Sequence, residues 1–409
     1  MNTVGNQIDA KDSVLVMFHR IGPYHLARLR GAAAAVPDKT IIGLEGADGD
    51  EIYAWDAVES AGIRKVTAFQ GIDSGKMSRN DLLVRFRDVF RQESPIALFI
   101  LGWTHLGIAG LIAAKEQSIP VVLMSESSAR DFYRNPIKEW IKRRVLRGCS
   151  AGLVGAESHR DYLISLGLKK EQIATGYDAV DNDYFANEAD RHRRAAESFK
   201  KQYQIERPFF LASNRFIPKK NIDTLYRAYA QYHAEAGSDA WDLVCLGDGE
   251  LKEELNQLRR DLNMQSNIHT PGFIQYKELP RFYAMAECFV HVSFREQWGL
   301  VVNEAMACGL PVMVSEPCGS AELIDQGKNG WIIDPDSEDS ISDCMLEITN
   351  MTKAQREQMG QFSRTTIAGF GLEQFGAGFS QALTVALSVP PKRPSMLDRL
   401  TWRFALSRL

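Results

Sequence analysis

The chain has little cysteine for its 409 residues. Its six cysteines (Cys149, Cys245, Cys288, Cys308, Cys318, Cys344) are scattered and none forms a Cys-x-x-Cys pair. That pattern argues against a disulfide framework or a zinc module and suits free thiols in a reducing compartment. Long apolar runs are also missing: mostly polar residues from Met1 to Asp12 precede only the five residues Val14 to Phe18, too few for a secretory signal or a membrane span. The chain is therefore expected in the cytoplasm. Charge of one sign is absent too, since the formal net charge of −4 gives no general reason to expect a nucleic-acid partner. No repeat or low-complexity tract occurs, and no His/Cys cluster stands at ligand spacing. Three Asp-x-Asp triplets (Asp48/Asp50, Asp181/Asp183, Asp334/Asp336) are short enough to arise by chance in polar loops, and none follows a strand beside the motifs described below.

What the chain does have is alternation. Apolar runs at Val14–Phe18, Ile96–Leu101, Pro120–Met124 and Ala151–Val154 are separated by helical patterns, and the same rhythm returns at Phe209–Ala212, Asp242–Leu246, Cys288–Val292 and Pro311–Val314. Such an order predicts α/β architecture with parallel sheets and crossover helices. The length favours two domains of about 200 residues, each large enough for its own core. Their join is expected near residues 205–208, after a charged helical stretch from Glu188 to Gln204.

The most informative segment is Glu296-Gln-Trp-Gly-Leu-Val-Val-Asn-Glu304, followed by Gly309 and Pro311. Gly299 leaves room for close approach, and Leu300 to Ala307 read as a helix closed by the later glycine and proline. Unpaired N–H groups at such a start can hold a phosphate. Two carboxylates eight residues apart along a helix are separated by about 12 Å, against roughly 5–10 Å for a glycosidase acid/base pair. A better division gives Glu296 sugar hydroxyls and Glu304 ribose hydroxyls. Upstream, Arg215 and Lys220 flank the turn between an apolar strand and a helix. Two cations there match a diphosphate, whose charge grows as a glycosidic bond breaks.

At this point the chain resembles the retaining nucleotide-sugar glycosyltransferases of family 4. Four motifs in order carry the resemblance. Arg215 and Lys220 stand as Arg-x4-Lys; Leu246-Gly-Asp-Gly-Glu250 supplies a Gly-x-Gly turn; His269-Thr-Pro-Gly-Phe-Ile274 matches a base-binding segment; Glu296 and Glu304 form Glu-x7-Glu. Asn221 departs from the glycine usual after the lysine. The likeness extends from Ser13 to about Leu387. It implies the GT-B fold, two Rossmann-like doubly wound domains facing a central cleft. Residues 1–205 would form the acceptor domain, 206–375 the nucleotide-sugar domain, and 376–409 a tail crossing back to the first.

The resemblance further implies a hexosyltransferase of cell-envelope or polysaccharide biosynthesis, retaining and without a metal or other cofactor. Glu296, Arg215 and Lys220 would be catalytic. Gly247, Asp248, Gly272, Phe273, Ile274, Gly299, Leu300, Val301 and Glu304 would complete the donor site. Partners would be a nucleotide sugar and a hydroxyl acceptor.

Acceptor-side candidates follow the first three strong strands: Gly22 and His25, then Trp103 and His105, then Glu126. Only Gly22 remains of the family's usual glycine pair. Two other readings stay open, a GT-B nucleotide-sugar epimerase and a non-catalytic nucleotide-binding protein resting on the turn Gly247-Asp-Gly249. Two stretches suggest peripheral contact with a membrane. Arg134 to Arg147 carries six cations against Glu139, with Trp140, Ile141, Val145 and Leu146 interleaved, and the segment after Pro391 carries five cations (Lys392, Arg393, Arg399, Arg403, Arg408) against Asp398.

Overall fold

The computed structural model describes residues 12–49, 62–73, 78–131, 134–390 and 393–408; Asp50, Pro391 and Lys392 lie outside them. Two compact units result. One holds the described residues up to Ala179 together with those from Gly371 onward, and the other is Val180–Phe370.

In the first unit, β1 (Ser13–Phe18), β2 (Thr40–Gly49), β3 (Arg64–Asp73), β4 (Ala97–Leu101), β5 (Val121–Ser125), β6 (Ala151–Val154) and β7 (Ile173–Thr175) form a parallel sheet in the order β3-β2-β1-β4-β5-β6-β7. Both faces are covered, which is why its central strands read as unbroken apolar runs. Along β1, Leu15 and Met17 enter one core, while Val14, Val16 and Phe18 enter the other. The second unit repeats the scheme with β8 (Phe209–Ser213), β9 (Asp242–Leu246), β10 (Ile268–Gly272), β11 (Cys288–His291), β12 (Val312–Ser315) and β13 (Gly330–Ile333), ordered β10-β9-β8-β11-β12-β13. Each sheet reverses its order once, between β1 and β4 and between β8 and β11. The crevice beyond the strand carboxyl ends at such a reversal is where open α/β sheets bind ligands.

The division falls near residue 180 and not near 205. The helix Asn182–Arg193 and its successor Ala196–Tyr203 pack within the second unit. Phe185 meets Tyr276 and Tyr283 edge-on at 5.3 and 6.1 Å, Phe199 meets Phe282 at 5.2 Å, and Arg364 pairs with Asp190 at 2.6 Å. The return comes at Gly371, five residues earlier than the sequence suggested, because the helix Leu372–Ser388 already belongs to the first unit. There Phe379 stacks on Phe99 at 4.1 Å, and a Cβ on Gly31 would stand 2.7 Å from the Leu372 carbonyl oxygen.

One buried carboxylate fixes the loop after β1. Glu45, on β2, accepts from the Ile21 backbone N–H (3.0 Å) and the Thr67 hydroxyl (2.7 Å), and Lys65 Nζ stands 3.0 Å away. Glu45→Ala should cost about 3 kcal/mol, since it leaves a buried N–H and a lysine without their partner. Urea unfolding of the full chain checks this, and a change within about 0.5 kcal/mol of wild type, as for an ordinary surface site, would contradict the anchoring role.

Candidate functional site

The loops beyond β8 and β11 meet at the reversal of the second sheet. Phe294 donates its N–H to the Lys219 carbonyl at 3.0 Å. Asn221 sits at φ 57°, the left-handed region that favours glycine, which explains why the residue there is asparagine, the side chain that best tolerates it. Its amide donates to the carbonyls of Val292 (3.1 Å) and Pro335 (2.7 Å), so this departure from the family pattern ties three loops together.

Across this junction Lys220 Nζ makes a short, direct ion pair with Glu296, and Lys219 Nζ stands 3.7 Å from the other carboxylate oxygen. Glu296 is largely buried. Burial would raise its carboxyl pKa, but Lys220 foremost, then His291 and Lys219, outweigh that, leaving it below the ordinary carboxylate range. Glu296 therefore stabilises the fold above the ordinary carboxyl pKa, and that contribution is lost as pH falls through its depressed value.

Gly299 starts the helix Leu300–Ala307 at φ 98°, ψ 68°. A Cβ there would stand 3.3–3.4 Å from Cys318 Sγ, Glu296 Cγ and His291 Nε2, so the glycine brings the first amides of the helix beside Glu296. The segment is braced from below. Glu296 bridges to Cys318, the Gly319 N–H donates to the Glu296 carbonyl at 3.0 Å, and buried Trp298 donates from Nε1 to Asn303 Oδ1 at 2.9 Å.

Gly247 and Gly249 have a packing reason. A Cβ on Gly247 (φ 137°) would fall 1.7 Å from the Asn214 carbonyl oxygen, and one on Gly249 2.5 Å from that of Phe216. The turn after β9 lies directly against the loop after β8, with Phe216 N–H donating to the Asp248 carbonyl at 2.9 Å. The Gly247 N–H reaches the Gly272 carbonyl at 2.9 Å, which brings in the loop after β10.

The other predicted donor residues are less gathered. Arg215 is exposed on the loop after β8, as is Phe273 after β10; Ile274, Leu300 and Val301 are half-buried. Asp248 is exposed and paired with Lys252 at 2.8 Å. Glu304, on the inward side of the helix Leu300–Ala307, is fully buried and accepts from the Tyr283 hydroxyl at 2.7 Å.

Three neighbours escaped the sequence reading. Lys219 doubles the cation beside Glu296. His291, fully buried at the end of β11, stands 4.0 Å from Glu296, with Nε2 3.2 Å from the Ser293 hydroxyl. Burial first, and Lys220 next, bring its pKa down to about 3, so the ring is neutral near pH 7. Asn214, directly after β8, is buried with neither side-chain amide atom hydrogen-bonded. A polar residue closing an apolar strand at the reversal was the available signal for both His291 and Asn214.

In the first unit, His25 is a structural cap. Its Nδ1 accepts from the Gly22 N–H at 3.1 Å at the start of the helix Pro23–Ala35, and burial first, then Arg28 and His19, lower its pKa to about 3. The His105 ring lies 5.8 Å from that of His19, so the loops after β1 and β4 meet. Trp103 packs on the core with the Lys142 ammonium 5.6 Å from its ring, and Glu126 is half-buried after β5.

A cavity of about 720 Å³ lies elsewhere in the second unit, at the amino ends of its strands, lined by Arg193, Arg207, Glu287, Pro311, Arg356 and Arg364 among others. Arg364 is held by Asp190 and Arg356 by Glu287. Of the Asp-x-Asp triplets, Asp334 follows the edge strand β13, where its Oδ1 accepts from the Asp336 N–H at 3.0 Å as a turn. Among the described residues no group of three or more His, Cys, Asp or Glu side chains is placed to hold a metal ion.

The architecture, two doubly wound parallel α/β units, is of the GT-B class. Residues 194–366 match the model of the family Glycosyl transferases group 1. Among curated proteins, it is 30% identical over 177 residues to a GDP-mannose-dependent alpha-(1-6)-phosphatidylinositol monomannoside mannosyltransferase of Mycolicibacterium smegmatis, covering 41% of this chain and 45% of that one. It is 29% identical over 243 residues to the mannosylfructose-phosphate synthase of Agrobacterium fabrum, covering 56% and 50%. The chain thus spans about half the length of the curated relatives it matches. Among solved structures, Anabaena HepE in complex with UDP-glucose superposes with a TM-score of 0.72 at 18% identity, covering 91% of this chain and 99% of that one, a likeness of fold.

Replacing Lys220 by methionine should raise the Glu296 carboxyl pKa from its depressed value, because burial then acts with only the weaker influences of His291 and Lys219 to oppose it. Carbon-13 NMR titration of the glutamate carboxyls would show one resonance moving up; an unchanged titration would contradict the pairing.

Proposed function

We propose that the chain is a retaining glycosyltransferase that moves a hexose from a nucleoside diphosphate donor to a hydroxyl acceptor, with the second unit binding the donor. The observation that carries this reading is the Lys220–Glu296 pair beside the glycine-started helix at Gly299, inside the segment that matches the group 1 family. A donor diphosphate would draw Lys220 away from the carboxylate, and Glu296 would then be free to accept from sugar hydroxyls. Arg215, Lys220 and the amides at Gly299 and Leu300 take up the charge that grows on the departing diphosphate, which stabilises the transition state more than the ground state. In this scheme the acceptor hydroxyl attacks from the face that the diphosphate leaves, the leaving phosphate takes its proton, and no metal takes part.

Gly247, Asp248, Gly272, Phe273 and Ile274 shape the nucleoside side, and neutral His291 with Asn214 line the floor of the donor site. The acceptor side is read to Gly22, His25, Trp103, His105 and Glu126 in the first unit, with His25 acting through the loop it caps. Relatives named for GDP-mannose-dependent transfer support a nucleotide-sugar donor and a role in envelope or polysaccharide glycosylation. Free cysteines, mostly buried, support a cytoplasmic setting.

Glu296→Ala should lower transfer about 10²–10³-fold, the scale of losing one transition-state contact, while nucleotide binding persists. Lys220→Ala should weaken both. Transfer assays paired with thermal shift on UDP, GDP, ADP and their sugars read the two effects separately. Equal loss of nucleotide affinity in Glu296→Ala would contradict its placement on the sugar.

A further inference from the structure

The two basic stretches singled out in the sequence, more than 250 positions apart, lie side by side in the first unit. The helix Pro136–Leu146 begins at Asn135, whose side chain accepts from the N–H groups of Ile137 and Lys138. The helix Met396–Arg408 is clamped along it. Arg144 pairs with Asp398 at 3.0 Å, and Trp402 donates from Nε1 to the Arg144 carbonyl at 2.9 Å. The face turned inward is closed, with Asp398, Thr401, Trp402, Ala405 and Leu406 all buried.

The outward face is unusual for a solvated surface. Met396 (78% exposed), Leu397, Leu400 and Phe404 are large apolar side chains, each about half exposed or more. At 100° per residue they fall within an arc of about 100° on the helix. The neighbouring helix adds exposed Ile137 and Trp140, and the Arg144 guanidinium lies 5.3 Å from the Trp140 ring, at the seam between the helices. Around these stand the exposed cations Lys138, Arg143, Arg147, Arg393, Arg399 and Arg403. The only acidic residues of the two stretches are withdrawn. Asp398 is buried on Arg144, while Glu139 is half-buried and accepts from the Tyr162 hydroxyl. Glu116, from a third helix, is engaged by Arg87 through two bonds of 2.6 and 2.8 Å.

We propose that this face docks on an anionic lipid surface, with Leu400, Phe404, Leu397 and Ile137 entering the headgroup boundary and the six cations meeting lipid charge. Charge complementarity selects that occupant. A second copy placed by two-fold symmetry would set the same positive face against itself. A nucleic acid would satisfy the cations but offers no apolar recess for leucine and methionine side chains. Among the described residues no helix is long and apolar enough to cross a membrane, so the contact is one of lying on the surface. The geometry also assigns Asp398 and Trp402 a purpose: they hold the second helix at an angle that leaves its apolar arc uncovered.

The test is flotation of the full chain with vesicles of phosphatidylcholine alone and of phosphatidylcholine containing about one-third phosphatidylglycerol. Binding is expected only to the anionic vesicles and should weaken as salt rises. Arg399→Glu with Arg403→Glu should reduce it at least tenfold, since each cation near the surface contributes about fivefold. Leu400→Glu with Phe404→Glu should abolish it. Both changes are on exposed positions, so an unchanged thermal transition and an unchanged nucleotide-induced shift would show that fold and donor site are intact. Equal binding to both vesicle types, no binding to either, or unaltered binding by the Leu400/Phe404 variant would overturn the proposal. So would self-association in sedimentation velocity that the same variant breaks, or retention of a single-stranded oligonucleotide in preference to anionic vesicles.

Discussion

The ion pair between Lys220 and Glu296 is the constraint on which the candidate site depends. It joins loops from two strands that are distant in sequence and adjacent in the sheet, at the one place where the order of strands reverses. A carboxylate so enclosed would be costly to keep ionised alone. With two lysines beside it, Glu296 stays charged and stores a cation next to the amides that start at Gly299. The site thus carries its own counter-charge.

Everything around that pair serves to hold it in place. Asn221 in its left-handed conformation ties the loop after β8 to the end of β11 and to Pro335. Gly247 and Gly249 let the turn after β9 lie against Asn214 and Phe216, and Gly319 lets the segment after β12 come within contact of Gln297. Such a support network is what a rigid site requires, because a loop displaced by an ångström would separate the charges.

Much of this was legible in the sequence because parallel strands covered on both faces are written as unbroken apolar runs, and eight of them were read. The five missed have physical reasons. β2 is broken by Gly43, Glu45 and Gly46, and β3 begins Arg64-Lys-Val-Thr at a sheet edge. β7 has three residues and β13 four. β10 contains a proline and lies at an edge of the second sheet. In the site, the spacing of Glu296, Gly299, Arg215 and Lys220 was visible, but the meeting of Lys220 with Glu296 was not, since it depends on strand order. Glu304 reads as a twin of Glu296 in the motif, yet the helix turns it onto Tyr283. The domain join was misplaced because the charged surface of the helix Asn182–Arg193 hid Phe185, its single large buried side chain.

The central claim is that a diphosphate belongs at the carboxyl ends of β8 and β11. Crystals of the full chain soaked with a nucleotide sugar test it directly. The account predicts phosphate oxygens on Lys220 and the amides of Gly299 and Leu300, with the Lys220–Glu296 pair opened and the hexose on Glu296. A ligand seated instead in the cavity at the amino ends of the strands, on Arg193, Arg207 and Arg356, with that pair intact, would contradict it.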